Sequence, residues 1–370
     1  MQKKYEEVVA WIRGELREGR LKQGDKLPSE NTLQVRFGVS RQTIRKALSV
    51  LEEEQIVRSV RGSGTYIEIG KQKRQRSMRI AVMTTYVDVY IFPLIVKEIE
   101  RVLSDEGYFL QLAVSNNAIE KERMILKDFI RERSIDGLIA ETTKSGIPNP
   151  NLKLYKELER MGVPILFINS FYPELDIAHV SLNDRAAGRM VTQHLLDCGH
   201  INIAGIFKAD DGQGHQRYAG YVDALMDADI KVKGKQVVWI DSDEIAEMRD
   251  DCSRILKRIK GCTACVCYND EVANKLVGIC MDQGIRIPDD LSIVGIDNSD
   301  LSRFCEIPFT SADNPVQELG KIAAEMMIDK IQGIGDIETV ELMPDLVMRN
   351  SVKVITHIII NQYNRRRKQC

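Results

Sequence analysis

The chain of 370 residues has no run of about 18 apolar residues, the length a membrane-spanning helix needs. Its first stretch, MQKKYEEVVAWIRGEL, carries acidic residues inside the apolar run, unlike a secretory leader. These absences predict a cytoplasmic protein with no membrane partner. No GxxxxGK[ST] or GxGxxG element follows any apolar run, so the usual phosphate cradles are missing. No lysine stands beside a phosphate-binding loop, as a Schiff-base cofactor would require. Eight cysteines lie scattered in a chain without a leader and are read as reduced. Three of them, Cys262, Cys265 and Cys267, have CxxCxC spacing, but a structural zinc site needs four ligands and no second pair is near. TACVCYND therefore reads as a buried strand with cysteine as a small hydrophobe, His200 in CGH reads as a helix C-terminal residue, and no metal is expected.

What the chain does hold is a split of charge. Residues 1 to 76 carry 17 Lys or Arg against 10 Asp or Glu, and the remainder 35 against 44, so a net −2 hides a head of +7 and a body of −9. A basic head supplies counterion-release affinity for nucleic acid, while an acidic body is repelled by phosphate.

The head contains GDKLPSENTLQVRFGVSRQTIRKALSVLEEEQIVRSVRGSGTY from Gly24 to Tyr66. Ser29 after Pro28 caps a helix that turns Leu33 and Phe37 inward and stops at Gly38. Ser40 caps a second helix with Ile44, Ala47, Leu48 and Leu51 on one side and Arg41, Gln42, Arg45 and Lys46 on the other. The spacing from Val57 through Ile67 predicts two strands around a glycine-rich tip, Arg61-Gly62-Ser63-Gly64. Before the pair, Tyr5, Val8, Val9, Ile12 and Leu16 predict an amphipathic helix. The pattern is helix, helix, wing, and points to double-stranded DNA. Arg41, Gln42 and Arg45 are the expected base readers, Lys46 and Lys4 the expected phosphate contacts, and Ser29, Ser40 and Thr43, with Arg61 and Gly62 at the wing tip, complete the expected DNA-binding set. The run EIGKQKRQRS, from Glu68 to Ser77, reads as a solvated tether that could also touch DNA.

Beyond it, apolar runs alternate with amphipathic segments. Strands are expected at Ile80 to Thr84, Phe109 to Val114, Gly137 to Ala140 and Pro164 to Ile168, then at Ile203 to Phe207, Ala264 to Cys267 and Ser292 to Ile296. Helices are expected near Arg185 to Leu196, Gln216 to Ala228 and Ala273 to Gln283. This predicts two successive lobes, each a parallel sheet covered by helices. Ligands of such sheets sit beyond the carboxyl ends of strands. The residues there include Tyr86, Tyr90, Phe92, Glu141, Asn169, Lys208, Asp210, Arg217, Tyr268, Asn269 and Asp297, the expected ligand-binding set, with Asn116, Asn117 and Asp270 beside them. Carboxylates, amides, a guanidinium and aromatic faces suit a polyhydroxylated ligand, since each hydroxyl both donates and accepts. Asn169, Asp184 and Asn269 have the alternative role of helix caps.

GDxLPSExxL, FGVSRxTxRxAL and GxGT closely resemble the GntR family winged helix over nearly all of residues 1 to 68. GHQRYAG at Gly214, CYNDEVA at Cys267, IPDDLSIVGID at Ile287 and MRNS near Arg349 resemble the LacI family's periplasmic-binding-protein-like domain from 79 to about 351. With TTYVDVYIFP and GIFKADDGQG, the whole chain is similar to the arabinose-responsive repressors of Gram-positive bacteria. The resemblance implies a multidomain α+β and α/β fold: a winged helix-turn-helix head on a two-lobed type I body with parallel sheets. It implies a homodimeric repressor, not an enzyme, acting on palindromic operators of arabinose and arabinan genes. L-arabinose is the implied effector, and no cofactor is implied. Another sugar or a nucleoside is the alternative ligand, and a GntR-fused pyridoxal-phosphate body the alternative class. The boundaries expected are 1–68 for the head, 69–78 for the linker and 79–351 for the body. Lobe 1 is placed at about 79–178 and 311–335, and lobe 2 at about 179–310 and 336–351. Residues 352–370, with five basic and no acidic side chains, form an extension with three open readings: disordered, a packed strand with a basic end, or a DNA-facing tail.

Overall fold

Val8, Val9 and Ile12 line the buried side of helix α1 (Lys4–Arg17) and pack on the helix pair that follows. In the computed structural model, which describes residues 4–17, 19–53, 56–60, 63–67 and 76–355, that pair is α2 (Glu30–Phe37) and α3 (Arg41–Glu53). Ser29 accepts from the Thr32 amide at 3.2 Å, and Gly38, at φ 61°, closes α2 in the left-handed conformation that glycine adopts without strain. Ser40 accepts from the Thr43 amide at 3.2 Å and starts α3. Fully buried Leu33, Ile44, Ala47 and Leu51 form the centre of this small core, each large one contributing on the order of 1.5–3 kcal/mol. Strands β1 (Val57–Val60) and β2 (Gly64–Ile67) pair antiparallel, Val57 opposite Ile67 and Val60 opposite Gly64. The wing tip residues Arg61 and Gly62 lie outside the described residues, as do 68–75 of the tether.

Residues 1–76 and 77–370 are separate compact units. The second begins inside the expected linker: Asp136 accepts from the amides of Ser77 and Met78 at 3.0 and 2.8 Å, so those two residues belong to the body. Its elements run β3 (Arg79–Thr84), α4 (Phe92–Asp105), β4 (Phe109–Val114), α5 (Ile119–Glu132), β5 (Gly137–Glu141), α6 (Leu152–Arg160), β6 (Ile165–Ile168) and β7 (His179–Leu182). There follow α7 (Asp184–Asp197), β8 (Ile203–Lys208), α8 (Gly212–Asp227), β9 (Val237–Ile240), α9 (Ser242–Glu247), α10 (Ser253–Ile259), β10 (Ala264–Cys267), α11 (Asp270–Asp282), β11 (Ser292–Asp297), α12 (Asp300–Phe304) and β12 (Thr310–Asp313). The chain ends its described course with α13 (Val316–Gln332), β13 (Val340–Leu342) and β14 (Leu346–Val347).

One sheet has the order β13-β7-β6-β5-β3-β4 and the other β14-β12-β11-β10-β8-β9; all pairings are parallel except β12 with β14. Parallel strands need crossover helices, and helices on both faces make the strands apolar on both sides. Thus Ile80 and Val82 face α4 and α13 while Ala81 and Met83 face α5 and α6. Cys265 and Cys267 are fully buried in β10 among aliphatic side chains. No helix among the described residues is long and apolar enough to cross a membrane.

The lobe boundaries differ from expectation at each crossing. His179–Leu182 completes the first sheet, Thr310–Asp313 belongs to the second, and Val340–Leu342 returns to the first beside β7. The chain therefore crosses between lobes near 183, 314 and 344, because a polar strand such as TSAD is not visible as an apolar run. The expected extension also starts too early. Lys353 donates its amide to Ser292 Oγ at 3.0 Å and Ile355 donates to the Cys198 carbonyl at 2.7 Å, with the His200 ring meeting the Lys353 carbonyl. Residues 352–355 are body; 356–370 lie outside the described residues.

Candidate functional site

In the head, Arg41, Gln42, Arg45 and Lys46 are exposed on α3, opposite its buried side, and Lys4 and Ser29 are exposed as well. Ser40 and Thr43 share a 2.8 Å hydroxyl contact at the helix start. Both arginines reach back to one carboxylate of α2: Arg41 Nε donates to Glu30 at 2.7 Å and Arg45 Nε at 3.3 Å. The hydrogen bond from Arg41, then that from Arg45, holds Glu30 below the usual carboxylate range. Glu30 thus orients two guanidinium groups side by side, a role sequence reading missed because it acts across eleven and fifteen positions.

In the body, the ends of β3, β5, β6, β8, β10 and β11 surround a cavity of about 260 Å³ between the lobes. This is below the roughly 300–1,000 Å³ of pockets for drug-sized ligands, a space for one small ring. Of the expected set, Tyr86, Tyr90, Phe92, Glu141, Asn169, Lys208, Arg217, Tyr268, Asn269 and Asp297 line it. Asp210 does not. Its carboxylate turns to Ser242, accepting from the hydroxyl at 2.8 Å, and to Lys144 Nζ at 3.5 Å. The lining acid is its neighbour Asp211, because β8 continues through Lys208 and the turn before α8 presents the second carboxylate. Asn117 also lines the cavity, whereas Asn116 and Asp270 do not.

The lobe 2 wall is organised by Arg217, only 1% exposed. Its guanidinium donates to Asp184 at 2.8 Å, to the Tyr268 carbonyl at 2.7 Å and to Asp297 at 3.0 Å, and lies over the Tyr268 ring. Two glycines make this position possible. A Cβ on Gly188 would stand 2.1 Å from the Arg217 carbonyl oxygen and one on Gly220 2.0 Å from that of Arg185, so α7 and α8 pack backbone to backbone. Asp184 is the first residue of α7 and not its cap, a role that Asn183 fills by accepting from the Ala186 amide, and its place beside Arg217 is outside the expected ligand-binding set. Burial pushes Asp184 up to about 7 against the pull of Arg217, and burial acts against Arg217 too, but Asp297 and Asp184 keep it well above its ordinary range. Asp211 is also buried, yet Lys208 at 3.3 Å and the Tyr268 hydroxyl at 2.8 Å outweigh burial and lower its pKa.

The lobe 1 wall is neutral apart from Glu141. One oxygen accepts from the Thr85 amide at 2.8 Å and the Thr85 hydroxyl at 2.5 Å, and the other meets Asn169 Nδ2 at 3.5 Å. Burial raises Glu141 to about 7, opposed by the Thr85 donors. Asn169 Oδ1 is buried with no hydrogen-bond partner among the described residues. Asn269 both lines the cavity and caps α11 by accepting from the Val272 amide at 3.0 Å, so its two readings coexist. Tyr86 and Phe92 add an aromatic wall, ring centroids 6.0 Å apart. Tyr90 spans the lobes, donating to Asp297 at 2.5 Å, and the contact with Asp297 adds to burial in raising its phenol well above the ordinary range.

Among the described residues, four of the ten non-glycine residues with positive φ line the cavity. Tyr90 (φ 61°), Asn117 (φ 51°), Asn169 (φ 61°) and Asp297 (φ 103°) are lining residues in the left-handed half of conformational space. Such conformations cost about 1–3 kcal/mol each and persist where the surroundings enforce them, typically at ligand clamps. Acceptors, donors and aromatic faces arranged around a small cleft can hold several hydroxyl groups at once.

Residues 4–67 match the family described as bacterial regulatory proteins, gntR family, and residues 192–352 match the periplasmic binding protein-like domain. The chain is 37% identical over 356 residues to the arabinose metabolism transcriptional repressor of Geobacillus stearothermophilus, covering 95% of this chain and 96% of that one. Against the protein of the same name in Halalkalibacterium halodurans it is 37% identical over 367 residues, covering 95% and 97%. A solved transcriptional regulator, the CelR–cellobiose complex, superposes with a TM-score of 0.67 over 85% of this chain and 91% of that one, at 22% identity, which shows the shared fold. All three are regulators, not enzymes, and the pyridoxal-phosphate alternative finds no support in them.

Proposed function

The chain belongs to the family of arabinose metabolism transcriptional repressors, and we propose that it represses arabinose and arabinan utilisation genes as a homodimer on palindromic operators and leaves them when L-arabinose fills the cavity. The observation that carries this reading is the cavity itself: a single-ring volume whose two walls come from different lobes, with Tyr90 of one hydrogen-bonded to Asp297 of the other. A ligand held by both walls favours one lobe arrangement over another, and the shift in population passes to the heads. In this reading Arg217, Asp297, Lys208 and Asp211 hold hydroxyls on one side, Glu141 and Asn169 on the other, and Tyr86 and Phe92 cover a CH face. Two α3 helices related by a two-fold axis enter successive major grooves, and Arg41, Gln42 and Arg45 read base edges. A nearly complete switch requires the ligand to prefer the low-affinity state by about 5.5 kcal/mol.

Fluorescence anisotropy of a labelled promoter fragment from the arabinose genes tests the reading. Full-length protein is expected to bind with two heads per fragment and to release it on titration with L-arabinose. Unchanged anisotropy at saturating L-arabinose rejects that effector, and release by another pentose, a hexose or a nucleoside identifies the alternative.

A further inference from the structure

A second set of contacts joins the lobes beside the cavity. The loop after β5 places Lys144, Ser145 and Gly146 against the loop after β8. Gly146 donates its amide to the Asp210 carbonyl at 3.1 Å, Gly212 donates to Ser145 Oγ at 3.1 Å, and Ser145 Oγ donates to Asp211 Oδ1 at 3.1 Å. Asn117 Nδ2 donates to Ser242 Oγ at 2.7 Å and steadies the Lys144 amide through its oxygen at 3.1 Å. The fit leaves no room for a side chain: a Cβ on Gly146 would stand 2.6 Å from both the Ala209 carbonyl oxygen and the Asp211 amide nitrogen, which are backbone atoms that cannot swing aside.

The lobe 1 half of this contact is braced from behind. Glu122 is fully buried and accepts from Tyr155 and Tyr172 at 2.7 Å each and from Asn149 and Asn151 at 2.8 Å each. Tyr172 in turn accepts from the Thr143 amide at 2.9 Å, so the loop is tied to the lobe just before Lys144. The lobe 2 half is tied to the cavity. Asp211 Oδ1 faces Ser145, while Oδ2 accepts from Lys208 and Tyr268, both lining residues.

We infer that Ser145, Gly146 and Gly212 form a clasp between the lobes and that Asp211, itself a lining residue, couples the clasp to the cavity. The inference rests on the sugar reading for its consequence, not for its geometry. A ligand that bonds to Lys208 or displaces the Tyr268 hydroxyl reorients Asp211, and the Ser145 contact is made or lost with it. Neither Ser145 nor Gly146 lines the cavity, so substitutions there act on closure and not on ligand contacts.

Hydrogen–deuterium exchange of the full chain reads the clasp through peptides covering 142–148 and 209–214. In wild type, L-arabinose is expected to change exchange in both peptides. Ser145→Ala removes one hydroxyl that makes two bonds across the lobes, and is expected to shift the L-arabinose concentration for half-release of operator by about three- to tenfold. Gly146→Ala is expected to shift it more than tenfold and to abolish the ligand-dependent change in both peptides, with the unfolding midpoint of the head unchanged. In a double-mutant cycle, Ser145→Ala and Asp211→Asn are expected to be non-additive in that half-release concentration. Wild-type release curves and exchange in both single variants, or strict additivity in the cycle, would overturn the clasp. If wild type binds no sugar in calorimetry, the sugar reading fails separately. The clasp is then judged on unliganded protein, where Gly146→Ala must speed exchange in 209–214 and equal rates overturn it.

Discussion

Arginine serves opposite ends in the head and the body. Arg41 and Arg45 have side chains 61% and 66% exposed and share Glu30 in contacts open to water, whereas Arg217 is 1% exposed and gives three directed bonds to lobe 2. Exposed ion pairs are worth about 0.2–1 kcal/mol and are screened by salt, so DNA can draw those guanidinium groups from Glu30 at small cost. A buried cation between two carboxylates cannot be exchanged in that way, and removing it leaves both acids stranded. The first arrangement suits a partner that arrives from solution; the second builds a fixed wall.

Salt should separate the two regions most widely. If the basic head makes six to ten phosphate contacts, raising salt from 50 to 200 mM weakens operator binding by about 10³–10⁵, and sugar affinity, set by buried lining groups such as Arg217, Glu141 and Asp297, should change less than about twofold. Parallel anisotropy and calorimetry series measure both; a shallow operator slope would mean that bases, not phosphates, dominate the head's affinity.

Arg217→Ala is next. It should destabilise the body by about 3–5 kcal/mol in denaturant unfolding and remove the response to sugar while leaving the head able to hold DNA. Arg217→Lys should rescue little, since an ammonium cannot direct bonds to Asp184, Asp297 and the Tyr268 carbonyl from one plane. Normal calorimetric affinity in either variant would remove Arg217 from the proposed ligand set. Arg45→Ala should cost about 1–3 kcal/mol on the operator and leave sugar binding alone. Equal loss on unrelated DNA would reassign Arg45 from base reading to phosphate.

The same contrast explains what the sequence made legible. In the head, the expected base readers lie on the exposed face of α3, and helical spacing with caps at Ser29 and Ser40 separates that face from the core within one short segment. In the body, the apolar strands β3 to β6, β8, β10 and β11 were visible as runs, and of the eleven residues that the rule of strand ends put in the expected ligand-binding set ten line the cavity, as does Asn117 beside them. Buried but polar strands were not: His179–Leu182 and Thr310–Asp313 carry hydroxyl, imidazole and carboxylate groups that look like loop, and missing them misplaced the lobe crossings. Asp211 was lost to a one-residue offset at the end of β8. Asp184, Glu30 and the Glu122 network escaped because their partners are 11 to 50 positions away, and hydrogen bonding at that range leaves no local pattern.

The smallest effect concerns the lone acid on the neutral wall. Burial raises Glu141 to about 7 from the usual 4.5, so below about pH 4.5 it is protonated folded or unfolded, and between about 4.5 and 7 the folded chain holds the proton more tightly. Its contribution to stability is full at the acid end and is lost as pH rises through about 7, which follows from proton linkage. Asp184 and Asp270, also raised to about 7 by burial, add to the same slope. Ligand binding should run the other way. A carboxylate makes stronger hydrogen bonds to hydroxyl donors than a carboxylic acid does, and Glu141 already receives Thr85 on one oxygen with the other toward Asn169. Sugar affinity should therefore rise by up to about tenfold from pH 6 to pH 8, and Glu141→Gln should flatten that profile while lowering affinity at pH 8. Tighter binding at pH 6 would show that Glu141 serves the ligand as a protonated donor, making the lobe 1 wall a neutral surface throughout.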